Sequence, residues 1–80
     1  MPYAVDDAAF FEDAERLQLS PWAISLIVQR IDDIKSLKDP RSSGGRYHKK
    51  WAYSVAKFQI VCEINDEKKV VKILSIVRLV

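Results

Sequence analysis

The run Arg46-Tyr47-His48-Lys49-Lys50-Trp51 places three cations, an imidazole and two aromatic rings in six consecutive positions. Cations neutralise phosphates, and aromatic rings stack on unpaired bases, so this composition fits contact with single-stranded nucleic acid. An ordinary imidazole titrates near neutral pH, which makes His48 a candidate general acid or base. The competing reading is a solvated loop whose Trp51 turns into the core and whose His48 is a polar surface residue. The wider charge pattern frames both readings. Net charge is only +2, yet Asp6, Asp7, Glu12, Asp13 and Glu15 make the start acidic. Between positions 35 and 57 the bases are Lys35, Lys38, Arg41, Arg46, Lys49, Lys50 and Lys57, against the single acid Asp39. That asymmetry suggests a local anionic partner rather than a basic protein overall.

Other chemistries find no support in the residues. One His and one Cys, fourteen positions apart on different elements, cannot build a usual zinc site, so no metal and no cofactor is expected. Cys62 lies among apolar residues and reads as a small buried side chain rather than a nucleophile. Gly44-Gly45 lacks the spacing and the following helix of a phosphate-binding loop. The pairs Asp6-Asp7 and Asp32-Asp33 are explained by capping at a helix start and by solvation on a helix surface.

These residues need elements to position them. Tyr3-Ala4-Val5 suits a short strand. Asp6 and Asp7 offer cap oxygens to a helix over 7–17, with Phe10, Ala14 and Leu17 on one face. Ser20-Pro21 opens a second helix over 21–38, because proline's missing N–H has no intrahelical partner at the first position. Ile24, Ile27, Ile31 and Ile34 form its apolar stripe, and Pro40 lies beyond its end. Residues 39–50 read as a loop broken by Pro, Ser and Gly. The apolar period then becomes two. Strands are expected over 51–56, 58–65 and 69–78, with Ala56-Lys57 as a tight connection and residues 65–68 as a polar turn. Val71, Ile73, Ser75 and Val77 are expected on one face of the last strand. Ile27, Ile31, Ile34, Val55, Ile60, Cys62 and Ile73 are the expected core. The fold class is α+β in the order β-α-α-β-β-β, two helices on one face of a small antiparallel sheet.

Eighty residues make one domain, spanning 1–80, with a limited core. The 49% apolar and 30% charged content is that of a folded chain rather than a disordered one. A lone cysteine fits a reducing compartment. The start lacks a basic segment joined to a long apolar run, and no apolar stretch approaches the ~20 residues of a membrane span. A cytoplasmic protein without membrane contact is the expectation.

Trp51-Ala52-Tyr53-Ser54-Val55-Ala56-Lys57-Phe58-Gln59-Ile60-Val61-Cys62-Glu63-Ile64, followed by a polar turn and a valine-rich strand, resembles the RelE/ParE superfamily of toxin–antitoxin toxins. Members typically read W-R-Y-R-V-G-D-Y-R-I-x-C/Y-E-I and end the last strand in I-G-H-R. The first half fits as well, with a short strand, a helical pair and Asp39-Pro40-Arg41 before a basic loop. The resemblance implies the toxin of a type II toxin–antitoxin system, a RelE-like ribosome-dependent endoribonuclease acting on messenger RNA. Its implied partners are a cognate antitoxin, the ribosome with its message, and operator DNA reached through the antitoxin. Departures fall on polar positions. Ala52 and Ser54 replace arginines, Ala56-Lys57 replaces Gly-Asp, Phe58 replaces tyrosine and Gln59 replaces arginine. Arg78 stands at the usual His, and the tyrosine that ribonuclease members commonly carry after that motif is missing up to Val80. The resemblance therefore implies an attenuated or inactive nuclease. Arg78 and His48 are its remaining catalytic candidates, and Arg46, Lys49, Lys50, Lys57 and Gln59 its RNA-binding ones. A ParE-like inhibitor of DNA gyrase, or a non-catalytic relative that binds antitoxin and operator, are the alternatives.

Overall fold

A computed structural model describes residues 3–79; Val80, named above beside the family's tyrosine, lies outside them. The elements are β1 (Ala4–Asp6), α1 (Ala8–Arg16), α2 (Pro21–Ser36), a 3-10 turn (Pro40–Ser42), β2 (Gly45–Tyr47), β3 (Lys50–Val55), β4 (Phe58–Asn65) and β5 (Val70–Arg78). The class is α+β, as expected. Both helices end slightly earlier than the apolar period suggested.

The caps explain where the helices begin and end. Ser20 accepts a hydrogen bond from the Ala23 amide at 3.2 Å, and Pro21 fills the first position of α2. At α1 the side chain that serves is Asp6, which accepts from the Ala8 amide at 3.2 Å, while Asp7 makes no side-chain cap. The end of α1 closes as a Schellman motif. The Gln18 and Leu19 amides donate back to the Glu15 and Ala14 carbonyls, and Gln18 takes a φ of 53°.

The sheet departs from expectation in two ways. It has five strands in the order β1-β5-β4-β3-β2, and β1 runs parallel to β5 while every other pair is antiparallel. The purely antiparallel four-strand reading is thereby corrected. Short turns force β2 through β5 into antiparallel neighbours, and β1 takes the free edge of β5, where its direction is set by the helical pair rather than by a hairpin. Second, part of the expected loop 39–50 is strand. Gly-Arg-Tyr carries no apolar alternation; the β3 backbone supplies its pairing, from Gly45 opposite Ala52 to Tyr47 opposite Lys50.

The core sits between the sheet and the helices, with α1 packed on β5 and α2 across β1 and β3. Ile27, Ile31, Ile34, Ile60, Cys62 and Ile73 are buried, joined by Phe10, Tyr53, Val71 and Ile76. Val55, expected in the core, is only half-buried, because it ends β3 at the turn. A β-bulge corrects the expected face of β5. Val61 pairs with Ser75 but Cys62 with Ile73, so Leu74 is an extra residue. Beyond it the alternation inverts. Ile76 enters the core at 2% exposure, and Ser75 and Val77 move to the opposite face.

Candidate nucleic-acid interface

Tyr47 and Lys50 close β2 onto β3 through a two-residue turn, with His48 and Lys49 at its tip. His48 takes a φ of 55°, a backbone state that His tolerates better than most side chains. Its ring meets that of Tyr47 edge-on, with centroids 4.9 Å apart. The hairpin is fixed to the body through the preceding segment. Trp51 is half-buried and donates its indole N–H to the Ser43 carbonyl at 2.8 Å. The Tyr53 hydroxyl donates to the Pro40 carbonyl at 2.6 Å. Arg30, which lay off the apolar stripe of α2 in the sequence, donates to the Ser43 hydroxyl at 2.7 Å and to the Ser54 carbonyl at 3.3 Å, and lies over the Tyr53 ring. Gly44 completes the approach. At its φ of 79° a side-chain carbon would fall 2.4 Å from the Ala52 carbonyl oxygen, so only glycine fits.

An open pocket of about 340 Å³ results, lined by Arg41, Arg46, His48, Lys49, Lys50 and Trp51 together with the β4 residues Cys62, Glu63 and Ile64. Arg41 is a member that the sequence reading did not single out, although it stands in the Asp39-Pro40-Arg41 stretch. Two of the cations are already engaged. Arg41 grips Asp66 with two bonds, 2.9 and 3.2 Å, and Tyr3 donates to the same carboxylate at 2.7 Å. These bonds, that of Arg41 first, hold the Asp66 carboxyl below its usual range. Lys50 bonds Glu63 at 2.8 Å and likewise lowers its pKa. Arg46 and Lys49 make no ion pair among the described residues, so they are the cations most open to an incoming phosphate. Cys62 is fully buried, and burial pushes its thiol up to about 12, far from a reactive thiolate.

The other candidates lie elsewhere. From Phe58, opposite Arg78, to Glu63, which holds Lys50, β4 advances roughly 17 Å at the usual strand rise. Arg78 and His48 are therefore at opposite ends of the sheet and cannot serve one phosphate together. Arg78 also projects to the helix side. Its guanidinium donates to the Leu17 carbonyl at 3.2 Å and lies 5.9 Å from the Phe58 ring centroid, where it complements the negative end of α1. Lys57 sits in the β3–β4 turn beside it.

Gln59 belongs to a third surface. Cross-strand register sets Ala52 against Val61, Ser54 against Gln59, Gln59 against Val77 and Val61 against Ser75. These six residues share the sheet face turned away from the helices. The middle of that face carries no charge; Lys50, Glu63 and Lys72 stand at its end, where Lys50 bonds Glu63. The Gln59 Oε1 is buried and accepts no hydrogen bond from a described residue. Positions 52, 54 and 59, where the resembled family carries arginines, are thus neighbours on one face. A search of protein-family models finds none that matches this chain, and a search of curated proteins finds none that is significantly similar.

Proposed function

We propose that this chain is a toxin-type protein of the RelE/ParE kind that works by binding. It engages RNA through the Arg46–Lys49 hairpin, is held by an acidic antitoxin, and cuts messenger RNA weakly or not at all. The observation that carries this reading is the uncharged helix-free face formed by Ala52, Ser54, Gln59, Val61, Ser75 and Val77. Phosphoryl transfer needs preorganised donors where charge develops, and removing one such donor commonly costs about 10²–10³ in rate. Three neighbouring positions on this face lack a cation, and Arg78 points to the other side of the sheet. The losses do not multiply, because donors in one site act together. Even one leaves cleavage far below that of an intact ribonuclease. His48, at the hairpin tip, is the remaining base, with Arg46, Lys49 and Lys50 all within two positions of it in sequence.

The test pairs ribosome-dependent cleavage of a defined message with growth arrest on induced expression. The expected result is little or no cleavage by the native chain, and a gain on Ala52→Arg, Ser54→Arg and Gln59→Arg together. Efficient cleavage by the native chain would overturn the reading. Growth arrest with intact messages and accumulating DNA breaks would favour the gyrase-inhibitor alternative. RNA affinity is measured separately. Replacing Arg46, Lys49 and Lys50 by alanine should weaken binding and flatten its dependence on salt, because fewer counterions are released. Equal slopes for native and variant chains would mark the hairpin as ordinary solvated surface.

A further inference from the structure

At the end of the sheet away from the basic hairpin, the turn between α1 and α2 faces the β3–β4 turn across an apolar groove of about 600 Å³. Leu19 and Ala23 line one wall, Ala56 and Phe58 the other, and Trp22 stands at its edge with 68% of its surface exposed. The charged residues lining it are Lys57 and Arg78, and no carboxylate does. An exposed tryptophan beside an apolar recess with a cationic rim is the composition of a protein-binding hot spot.

The complementary surface lies on the same molecule. Phe11 on α1 is 62% exposed, and Glu12 and Glu15 beside it are exposed as well. Phe11 and Glu15 stand one turn apart on α1, and Gln18, just past the helix end, hydrogen-bonds back to the Glu15 carbonyl at 3.1 Å and lines the groove. Phe11 to Glu15 covers about 6 Å of helix axis, so the acidic ridge ends at the turn that borders the groove. Phe11 is too exposed to occupy its own groove. A two-fold pair lets each copy offer its ridge to the other's groove, which is the self-complementarity that an isologous interface requires. A stable interface takes about 800 Å² from each partner, about a seventh of this molecule's 5379 Å².

We propose that this chain pairs with a second copy of itself by seating Phe11 of each copy in the Leu19–Phe58 groove of the other, with Glu15 facing Lys57 across the interface. The occupant is a second copy because this chain itself carries an aromatic side chain flanked by carboxylates next to an acid-free apolar groove with cations at its rim.

Sedimentation of the full chain across a micromolar-to-millimolar concentration series tests the pairing. A monomer–dimer equilibrium is expected, weakened by salt. Trp22→Ala should raise the dissociation constant by about tenfold or more, as truncating an interface hot spot does. Lys57→Glu and Glu15→Lys should each weaken association. Mixed in equal amounts, these two variants should restore it, because both cross-interface pairs then join opposite charges. All three positions are exposed, so circular dichroism and the unfolding midpoint should stay near those of the native chain. A monomer at every concentration overturns the proposal, including the case in which an acidic foreign protein binds the groove instead. Association indifferent to Trp22→Ala, or a mixture that restores nothing, overturns it as well.

Discussion

Tyr53 and Cys62 show how single groups tie this small core to pH. Both are fully buried, and burial is the first cause that pushes each up to about 12. In the unfolded chain the thiol ionises near 8.5 and the phenol near 10, so the unfolded state releases protons first as pH rises. Stability from keeping both groups neutral is complete below those values and is lost progressively as pH climbs toward about 12. The urea midpoint is therefore expected to fall between pH 8 and pH 11 (roughly the span from below the unfolded thiol value to above the phenol value). Cys62→Ala should lower the midpoint overall but shrink the part of that fall near pH 9. An unchanged pH dependence would mean that the thiol ionises freely in the native state. Asp66 and Glu63 act with the opposite sign. Their lowered pKa values lend stability above the usual carboxylate range, and it is lost as pH falls through the lowered values. Both are exposed, so salt should screen the effect.

Among the elements, β5 is the one whose local irregularity decides most. The extra residue at Leu74 sends Ile76 to the core, and Ile76 lies on the stretch of β5 that β1, which pairs only with Val70 to Lys72, leaves uncovered. Asp13 of α1 meets the Ile76 amide, accepting from it at 2.7 Å, and also bonds Arg16 at 3.4 Å. The helix thus supplies a partner to an amide beyond the reach of β1, and the bond ties α1 to β5. Asp13→Ala should cost about 1–3 kcal/mol, because a partly buried donor is left unpaired. Chemical denaturation measures this. A loss below about 0.3 kcal/mol would show that water replaces the carboxylate at no net cost. Glu15 lies on the exposed side of the same helix, so the two acids separate cleanly into an internal bond and a surface charge.

Across the molecule, Asp6 in β1 and Glu12, Asp13 and Glu15 in α1 lie along the β1–β5 side, while the basic hairpin forms the opposite edge of the sheet beyond β3. This dipolar layout survives in a chain of net charge +2 because the two regions lie on different strands. The core that holds them is thin. Ile31, 3% exposed, is packed in the single apolar cluster shared by both helices and β3 to β5. Ile31→Ala should cost roughly 2–5 kcal/mol. That is a large share of the roughly 5–15 kcal/mol typical of a domain, so the variant is expected to unfold readily on mild heating. A change below about 0.5 kcal/mol would place Ile31 outside the cooperative core, against the range for buried aliphatics.

The elements that periodicity and caps control were legible in the chain alone. The isoleucine stripe of α2, the Ser20-Pro21 start and the alternation from Trp51 to Ile64 each follow from local stereochemistry; burial follows them except at Ile24 and Val55, which are half-buried, and at Ala52 and Val61, which are buried on the opposite face. Strand β2, the parallel pairing of β1 and the bulge at Leu74 were not legible. Each depends on a partner distant in sequence: β3 for the Gly-Arg-Tyr strand, β5 for β1, and the register against β4 for the bulge. The same division holds for the candidate sites. The Arg46–Trp51 run marks itself by composition, since cations and rings crowd six positions. Register across three strands decides that Ala52, Ser54 and Gln59 share one face, and that Arg78 lies far from His48 on the helix side. Charge is written into residue types, whereas its placement relative to one phosphate is a property of the folded sheet, in which strand rise and alternation set every distance.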